Sequence, residues 1–426
     1  MRKMKDSGIE WIGKIPDIWR QTKLKYVTKI RSENGMYSPE QDSYIGLENI
    51  VSRSNKLIET ETIYESALYS ICKKGDILFN KLRPYLAKAI ISPIDGFCTG
   101  ELLNIKHFDG EKRFLWYYLL SDKFIEVVNA STYGAKMPRA NTDFILNLPV
   151  FLPPLPEQKK IADFLDGKCT DIDQIRADIE KQIEILTDYK KSVITEAVTK
   201  GLDPKVKLKD SGIKWVGKIP EHWNVSKMKY ACSKITDFTA SGSFADLAAN
   251  VTYLDSPDYA MLIRTADLSK KREVQPIYID KHAYEYLSNS NLFGGEILLS
   301  NIGSVGDVYY FEPLYEKCSL APNAIMAISK KSSRYLYYFL SMPSATEELR
   351  QIGGNAVQQK FNKTQLRQLA CIAPPFEEQK AIASCLDEKC SEIDSAIEDK
   401  QKQLETLEDY KKSLIFEYVT GKKEVV

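Results

Sequence analysis

Histidine is scarce in this chain of 426 residues, and closely spaced cysteines are missing. The sequence has three histidines and eight cysteines, and no two cysteines form a C-x-x-C pair. A structural zinc site needs thiolate or imidazole ligands, most of them close together in sequence. We therefore expect no metal site, and we expect the eight cysteines to be reduced and mostly buried thiols.

Long apolar runs are also missing. No stretch reaches the ~18 residues that a membrane span needs, and the opening MRKMKDSG lacks the apolar segment of a signal peptide. The hydrophobic content of 43% and the charged content of 27% are typical of globular domains. We expect a cytoplasmic protein with two or three domains and no membrane partner.

The glycine-rich loops that hold nucleotides are not found. No G-x-x-x-x-G-K-[ST] sequence is present, and neither is an F-x-G-x-G loop of the kind that holds the cofactor of amino-methyltransferases. LPPL (152–155) and APPF (373–376) have the prolines of a D/N-P-P-Y/F catalytic loop without its Asp or Asn. An enzyme that modifies or cuts DNA by itself, as a methyltransferase or nuclease, remains the alternative interpretation, and these absences count against it.

What the chain does contain is a repeat. Residues 6–26 match residues 210–230 at 13 of 21 positions, and residues 153–200 match 374–421 at 27 of 48 positions without a gap. Between these constant segments, the blocks 27–152 and 231–373 have diverged. In each half a variable block lies between two constant segments, and a duplication explains why this order occurs twice. The duplication predicts two equivalent halves, with the two chain termini close together.

Both constant segments after the variable blocks have a helical pattern. Prolines open each one, and Thr170 with Asp173, like Ser391 with Asp394, fits the capping pattern that precedes a helix. The pattern predicts a long helix over 172–198, about 40 Å at 1.5 Å per residue, which is close to one turn of B-DNA. The predicted seam of an antiparallel coiled coil consists of Ile172, Ile175, Ile179, Leu186, Tyr189 and Val193, with Ile393, Ala396, Leu407, Tyr410 and Leu414 in the second copy. Gln182, Lys400 and Gln403 are the polar exceptions on this seam.

Charge follows the same division. Residues 1–152 and 201–373 each carry a net charge of +4, whereas 153–200 and 374–426 together carry −7. Two mildly basic bodies thus alternate with acidic helices, which favours bodies that contact nucleic acid. A coiled-coil scaffold without DNA contact is a further alternative, but it would leave the divergence of the two blocks unexplained.

The framing motifs resemble those of a known family. W-x-G-x-I-P-x-x-W at 11–19 and 215–223, followed by PP-x-x-EQ-x-x-I-A-x-x-L at 153–165 and 374–386, is similar to the specificity subunit of type I restriction–modification systems. The resemblance implies an α+β fold: two pseudo-two-fold-related mixed α/β target-recognition domains joined by two long antiparallel helices in a coiled coil. The implied domains are target-recognition domains at 1–152 and 201–373 and helical spacer and docking regions at 153–200 and 374–426.

The resemblance also implies a function. Each recognition domain would read one half of a bipartite site in double-stranded DNA, while the helices set the gap and dock methyltransferase subunits. S-adenosylmethionine is expected on the methyltransferase partner and no cofactor on this chain, and restriction/translocase subunits are further expected partners. No catalytic residue is expected here.

Candidate DNA contacts lie in polar and basic loops of the variable blocks. FNKLRPYLAK (79–88) follows a predicted strand, where Lys and Arg side chains can reach phosphates or guanine edges, and Asn or Gln can read adenine. The other segments are STYGAKMPRAN (131–141), its counterpart GGNAVQQKFNKT (353–364), the loop after GEILLS (295–300), and the basic cluster near 270. The candidate side chains are Lys81, Arg83, Lys88, Lys136, Arg139, Arg264, Lys271, Arg272, Asn301, Ser304, Asn355, Gln358, Gln359 and Lys360.

Overall fold

The computed structural model describes residues 2–134, 136–269, 274–354 and 360–425. The chain divides into two compact units, one of Met1–Glu180 with Lys400–Val426 and the other of Lys181–Asp399. Each unit therefore holds one variable block and half of each long helix. The four predicted sequence blocks follow the repeat rather than the contacts, and they stay a prediction about function.

The first unit is a mixture of short strands and helices. Its strands are β1 (Met4–Asp6), β2 (Lys14–Pro16), β3 (Arg20–Lys23), β4 (Thr28–Ile30), β5 (Asn34–Met36), β6 (Tyr44–Ile45), β7 (Leu68–Cys72), β8 (Ile77–Asn80), β9 (Ala89–Ile91), β10 (Gly96–Cys98), β11 (Leu102–Phe108) and β12 (Pro149–Leu152). Its helices are α1 (Leu24–Val27), α2 (Lys112–Leu120), α3 (Asp122–Ala130), α4 (Thr142–Asn147) and the first part of α5 (Leu155–Lys200).

The second unit repeats this order with a longer insertion. Its strands are β13 (Leu208–Asp210), β14 (Lys218–Pro220), β15 (Asn224–Lys227), β16 (Cys232–Asp237), β17 (Ala260–Ile263), β18 (Tyr278–Ile279), β19 (Asn291–Leu292), β20 (Ile297–Ser300), β21 (Val308–Tyr310), β22 (Cys318–Leu320), β23 (Ala324–Ser329) and β24 (Ala370–Ala373). Its helices are α6 (Met228–Ala231), α7 (Phe244–Asn250), α8 (Thr265–Leu268), α9 (Lys281–Tyr286), α10 (Ser333–Ser341), α11 (Pro343–Ile352), α12 (Lys363–Gln368) and the first part of α13 (Phe376–Val419).

Each unit is built on the same core sheet. In the first unit the strand order is β4-β11-β8-β9, and in the second it is β16-β23-β20-β21. The second four-stranded sheet shares three strands, in the order β7-β10-β6 in one unit and β19-β22-β17 in the other, with the same parallel and antiparallel pairs. Its fourth strand differs, because β5 lies beside β7 whereas β18 lies beside β17. Divergence of the variable blocks has thus kept the central sheet and changed one edge of the outer sheet.

A pair of antiparallel strands closes each variable block. β3 pairs with β12, with Lys23 opposite Pro149, and β15 pairs with β24, with Lys227 opposite Ala370. The chain therefore enters and leaves each block at one place. Because both ends are held by constant strands, the sequence between them can change without moving the frame.

The repeated motifs hold the frame together through buried polar contacts. Trp19 is fully buried and its indole N–H lies 3.3 Å from both carboxylate oxygens of Glu157, while the indole of Trp223 donates to Glu378 at 2.9 Å. The neighbouring Gln158 donates to the carbonyl of Pro153 at 2.8 Å. Burying an aromatic side chain of this size contributes about 4–6 kcal/mol of transfer free energy. Trp19 and Trp223 are thus packing anchors of the frame.

The long helices are continuous, which corrects the predicted start. α5 begins at Leu155, 17 residues before Ile172, so Thr170 does not cap a helix. The second copy is the same, since α13 begins at Phe376 and runs through Ser391. The sequence pattern alone does not distinguish a Thr-x-x-Asp inside a helix from one at its start. The aspartate carboxylate can bind a partner far away in sequence instead of a backbone N–H at the helix start.

That partner is a lysine of the other long helix. In the first unit Asp173 accepts from Lys411 at 2.6 Å, and in the second unit Asp394 accepts from Lys190 at 2.6 Å. Also within the first unit, the rings of Phe164 and Tyr418 lie 4.5 Å apart between centroids. Rising residue numbers on α5 meet falling numbers on α13, so the helices pair antiparallel within each unit, as predicted.

The predicted seam is wrong at three of its apolar positions. Ile175 and Tyr189 are about half exposed, and so is Tyr410. The positions one residue later face inwards instead, and two of them are charged: Arg176, which binds Glu408 at 3.1 Å, and Lys190. Apolar spacing misses this face because long basic side chains lay their stems along the seam and pair at the tip.

The chain ends return to the first frame. Lys422 donates from Nζ to the carbonyl of Ile12 at 2.7 Å. Gly421 has φ +70°, and a Cβ there would lie 2.5 Å from Pro16, so only glycine fits this close turn. Gly201 makes the same turn against Trp223 at the end of α5. Neighbouring termini within the first unit are therefore confirmed.

The remaining expectations concern cysteine, metal and membrane. All eight cysteines are free, and all but the partly buried Cys385 are buried, as predicted. Across residues 2–134, 136–269, 274–354 and 360–425, no cluster of His, Cys, Asp or Glu could hold a metal ion. In that same part of the chain, none of the helices combines the length and the apolar character that crossing a membrane requires.

Candidate nucleic-acid interface

Two of the predicted DNA-contact segments meet in the first unit. The backbone N–H of Arg83 donates to the carbonyl of Pro138 at 2.7 Å, and that of Ala140 donates to the carbonyl of Lys81 at 2.9 Å. Leu82 and Arg139 form an isolated β-bridge. The segments 81–88 and 131–141, about 50 residues apart in sequence, therefore form one surface, which we call the first reading surface.

Five candidate cations lie on or beside this surface. Arg139 is about half exposed and forms an ion pair with Glu101, and Lys136 is exposed on the same loop. The guanidinium of Arg83 lies 3.4 Å from the carbonyl of Lys136. Lys88 donates to the carbonyl of Leu47 at 2.7 Å, a contact that helps to hold the loop.

Lys81 is partly buried, and burial shifts its pKa. Burial lowers the pKa of Lys81, the charge of Arg139 lowers it further, and Glu101 opposes both. A half-buried ammonium has already lost part of its hydration shell. Binding to a phosphate oxygen therefore costs Lys81 less desolvation than it costs a fully hydrated lysine.

Backbone strain concentrates beside the first reading surface. Three of the four non-glycine residues with positive φ in the described ranges are here: Arg53 (φ 50°), Arg83 (φ 53°) and Ala87 (φ 47°). Arg53 donates its N–H to the carbonyl of Ala87 at 3.0 Å. Each such conformation costs about 1–3 kcal/mol and persists only where the surroundings impose it, most often at functional sites.

Exposed apolar side chains accompany the cations. Tyr85, Leu86, Tyr133 and Met137 are exposed large hydrophobic residues on the two segments. A ring with an exposed face can stack on a base or pack on a sugar, and a basic surface with interleaved aromatics is typical of nucleic-acid contact.

The second unit has an equivalent surface with different chemistry. Ile302 forms an isolated β-bridge with Lys360, as Leu82 does with Arg139. Asn301 takes the place of Lys81; it is buried and donates to the carbonyl of Phe361 at 3.0 Å. We call residues 301–307 with 360–364 the second reading surface. Asn355, Gln358 and Gln359 of the same predicted segment lie outside the described residues.

The basic cluster of the second unit is only partly described. Arg264 is held by Asp267, with Nη2 at 2.6 Å from Oδ1 and Nε at 3.0 Å from Oδ2, and it also donates to the carbonyl of Gln275 at 2.6 Å. Its hydrogen bonds to Asp267 raise the pKa of Arg264. Lys271 and Arg272 lie outside the described residues. Arg264 therefore acts in shaping its loop.

Ser304 is exposed and lines a cavity in the second unit. The cavity has a volume of about 400 Å³, and Asp307 and Tyr309 contribute its polar groups. The hydroxyl of Tyr309 lies 3.4 Å from the carboxylate of Asp307. A carboxylate beside a hydroxyl can accept from an exocyclic amino group of a base, so Ser304 stays a prediction with a suitable neighbourhood.

Sequence reasoning missed the residues that support the reading surfaces. The hydroxyl of Ser52 donates to the carbonyl of Leu86, and the backbone N–H of Arg53 donates to the carbonyl of Ala87. Arg53 also donates from Nη1 to the carbonyl of Leu120 at 3.1 Å. Nothing in SRSNK marks these residues as structural. The left-handed backbone of Arg53 would have been the signal, and it is visible only in the fold.

Replacing Lys81 by Met is expected to stabilise the free protein and to weaken DNA binding. Because burial lowers the pKa of Lys81 in the folded state, the ammonium charge costs stability, and methionine removes that charge. We expect a rise in the melting temperature of ~1–3 °C and a fall of about one in the slope of log K against log salt. Calorimetry measures the melting temperature, and DNA titration at several salt concentrations measures the slope. Lys56→Met is the control. A lower melting temperature of the Lys81→Met variant would contradict the argument.

Comparison with known proteins gives the same division. A model of the family described as "Type I restriction modification DNA specificity domain" matches the chain twice, over residues 9–185 and 226–407. The MjaVIII type I restriction enzyme specificity subunit of Methanocaldococcus jannaschii is 27% identical over 440 residues, which cover 97% of this chain and 94% of that protein.

Solved structures share the fold. A chain described under "Structural basis underlying complex assembly and conformational transition of the type I R-M system" aligns with a TM-score of 0.71 at 17% identity, over 96% of this chain and 99% of that chain. The HsdS subunit from Thermoanaerobacter tengcongensis aligns with a TM-score of 0.51 at 17% identity, over 98% and 100%.

Proposed function

Because the chain belongs to the family of type I restriction modification DNA specificity domains, and carries that domain twice, we propose that each unit reads one half of a bipartite DNA site. The observation that carries this proposal is the pair of reading surfaces. Both are formed by the loop after a core strand (β8 or β20) against a second loop. Since the first presents Lys81, Arg83 and Arg139, and the second presents Ser304 and Lys360 with Asn301 buried in place of Lys81, the two half-sites should differ.

The long helices are proposed to set the gap and to dock the methyltransferase. One set of seven exposed positions carries the same side chains in both copies, although neighbouring exposed positions have changed, as Glu180 to Gln401 and Ile185 to Thr406. Exposed substitutions change stability little, so stability does not explain their retention. We call these residues the docking faces: Asp178, Lys181, Gln182, Glu184, Asp188, Tyr189 and Ser192 on α5, and Asp399, Lys402, Gln403, Glu405, Asp409, Tyr410 and Ser413 on α13.

Chemistry is proposed to belong to the partners. The chain has no cofactor loop, so S-adenosylmethionine would bind to the methyltransferase subunits, and separate restriction subunits would move and cut DNA. The family membership favours a non-catalytic, cytoplasmic specificity subunit over a stand-alone DNA-modifying enzyme.

Methyl transfer tests this proposal. The chain alone, and then its complex with the methyltransferase partner, is incubated with labelled S-adenosylmethionine and genomic DNA that lacks modification, and methylated positions are sequenced. We expect no transfer by the chain alone, and transfer by the complex at two half-sites with a constant gap. Transfer by the chain alone would overturn the proposal, and so would methylation at a single contiguous motif.

Removing the tyrosine of one docking face is expected to remove one methyltransferase subunit. Tyr189 and Tyr410 are the aromatic residues of the docking faces and are about half exposed, and tyrosine is enriched among the residues that dominate the energy of an interface. We expect Tyr189→Ala or Tyr410→Ala to weaken one docking event by ~10–100-fold, and the double variant to weaken both. Sedimentation of the complex measures the stoichiometry. Tyr253→Ala, equally exposed outside the helices, is the matched control, and unchanged binding of the double variant would contradict the docking faces.

A further inference from the structure

Each long helix carries one aspartate that binds two donors of its variable block. In the first unit Asp166 accepts from Arg113 Nη1 at 2.6 Å and from the hydroxyl of Tyr117 at 2.8 Å. In the second unit Asp387 accepts from Arg334 and Tyr338, each at 2.7 Å. We call each set of three residues a helix clamp.

The helix clamps are retained inside blocks that otherwise diverged. Asp166 and Asp387 are 221 residues apart, and the same interval separates both the arginines and the tyrosines. The similarity of YYLLS (117–121) to YYFLS (337–341) suggests an interval of 220, which is one residue out of register. The contacts show instead that Tyr117 is the equivalent of Tyr338, because each binds the aspartate of its own helix. The blocks have therefore kept the side chains that touch the helix.

The clamp bonds are strong for their position. Burial raises the pKa of both Tyr117 and Tyr338 well above the ordinary value, so the hydroxyls remain donors at neutral pH. A hydrogen bond to a charged group is stronger than one between two neutral groups. The clamps lie about three turns along each long helix, beyond the Trp–Glu contact at its start. The frame and its block are thus fixed to the helix at two points along the axis, and the block resists rocking.

A small rotation about such a fixing point would alter the measured gap. A compact body of this size has a radius of gyration of ~15 Å. A rotation of about 13° displaces a point at that distance by ~3.4 Å, which is one base-pair rise of DNA. A gap held to one base pair therefore requires each block to keep its angle to the helix within roughly 10°.

We propose that Asp166 and Asp387 are positioning residues that set how precisely the protein measures the gap between the half-sites. This inference rests on the proposed function, because it presumes a bipartite site. It differs from a purely structural role, since a loosened clamp allows wrong gaps without changing either half-site.

The test measures methylation rates on three DNAs with the same half-sites and with the native gap, one base pair fewer or one more. For the wild-type complex we expect a strong preference for the native gap. Asp166→Ala should reduce that preference at least fivefold, Tyr117→Phe should reduce it less, and Asp387→Ala should act like Asp166→Ala. Because Tyr117→Phe keeps the ring, it also reports if the alanine variants fold poorly.

Asp163→Asn is the matched control. Asp163 is exposed on the same helix and binds the same Arg113 at 2.8 Å, but it has no counterpart in the second unit, where Ser384 stands. We expect this variant to keep the gap preference. Clamp variants that lower the rate equally on all three DNAs, or leave the preference intact, would overturn the inference. A wild-type complex without any fixed gap would instead contradict the proposed function.

Discussion

Inserting four residues into both long helices, after Gln182 and after Gln403, is expected to abolish methylation at the native gap and to restore it at a gap one base pair longer. Four residues add ~6 Å to each helix and rotate the rest of the helix by ~40°. One base pair of DNA adds ~3.4 Å and ~34–36°, and two add ~6.8 Å and ~70°. The rotation of the helix therefore matches the twist of one base pair. The added length of the helix allows the gap to grow by two base pairs at most.

The insertion is made in both helices because they pair antiparallel within each unit. A four-residue insertion is a stutter that coiled coils tolerate, whereas lengthening one helix alone would misalign pairs such as Asp173 with Lys411. The methylated motif of cells that carry the variant gives the gap directly. Gln182→Ala with Gln403→Ala, which changes no length, should keep the native gap. An unchanged gap after insertion would reduce the helices to packing elements.

Replacing residues 232–369 by a copy of residues 28–148 is expected to produce a protein whose two half-sites are the same. The exchange joins the new block to β15 and β24, which hold the ends of the original block. It also brings Arg113 and Tyr117, which can bind Asp387 as Arg334 and Tyr338 do. The second native half-site should disappear completely, and the gap should stay constant.

A version of this exchange that also carries Tyr117→Phe separates base choice from positioning. It should read the same two half-sites with a less precise gap. Methylation mapping gives both results at once. If the exchange altered the retained first half-site, the units would not be independent readers, and the proposed division of labour would be wrong.

The repeat made much of the fold predictable. Identity at 27 of 48 positions, without a gap, indicated a duplication and two equivalent bodies, and the family resemblance rested on motifs that prove to be contacts. The motif glutamates bind the tryptophan indoles, and Gln158 binds the carbonyl of Pro153. Such motifs are readable because each partner must be one residue type at one place.

The seam of the helices was less predictable. Ile175 and Tyr189 suit a heptad, but Arg176 and Lys190 occupy the inward positions. The spacing of hydrophobic residues shows only which side chains avoid water. A charged side chain that forms an ion pair across the seam does not appear in that pattern. The false caps at Thr170 and Ser391 have the same origin, because Asp173 and Asp394 bind lysines more than 200 residues away.

By itself the sequence determined the duplication, the constant frames and the loops in which to look for DNA contacts, since local identity and composition are properties of the chain. Only the tertiary structure decided how those loops act. It brought Lys81 and Arg83 against 138–140, buried Asn301, and turned Arg264 towards Asp267. It also joined Tyr117 to Asp166 across 49 residues. Each of these outcomes depends on which groups come into contact in the fold. When two contacting residues are far apart in sequence, no local sequence pattern indicates the contact.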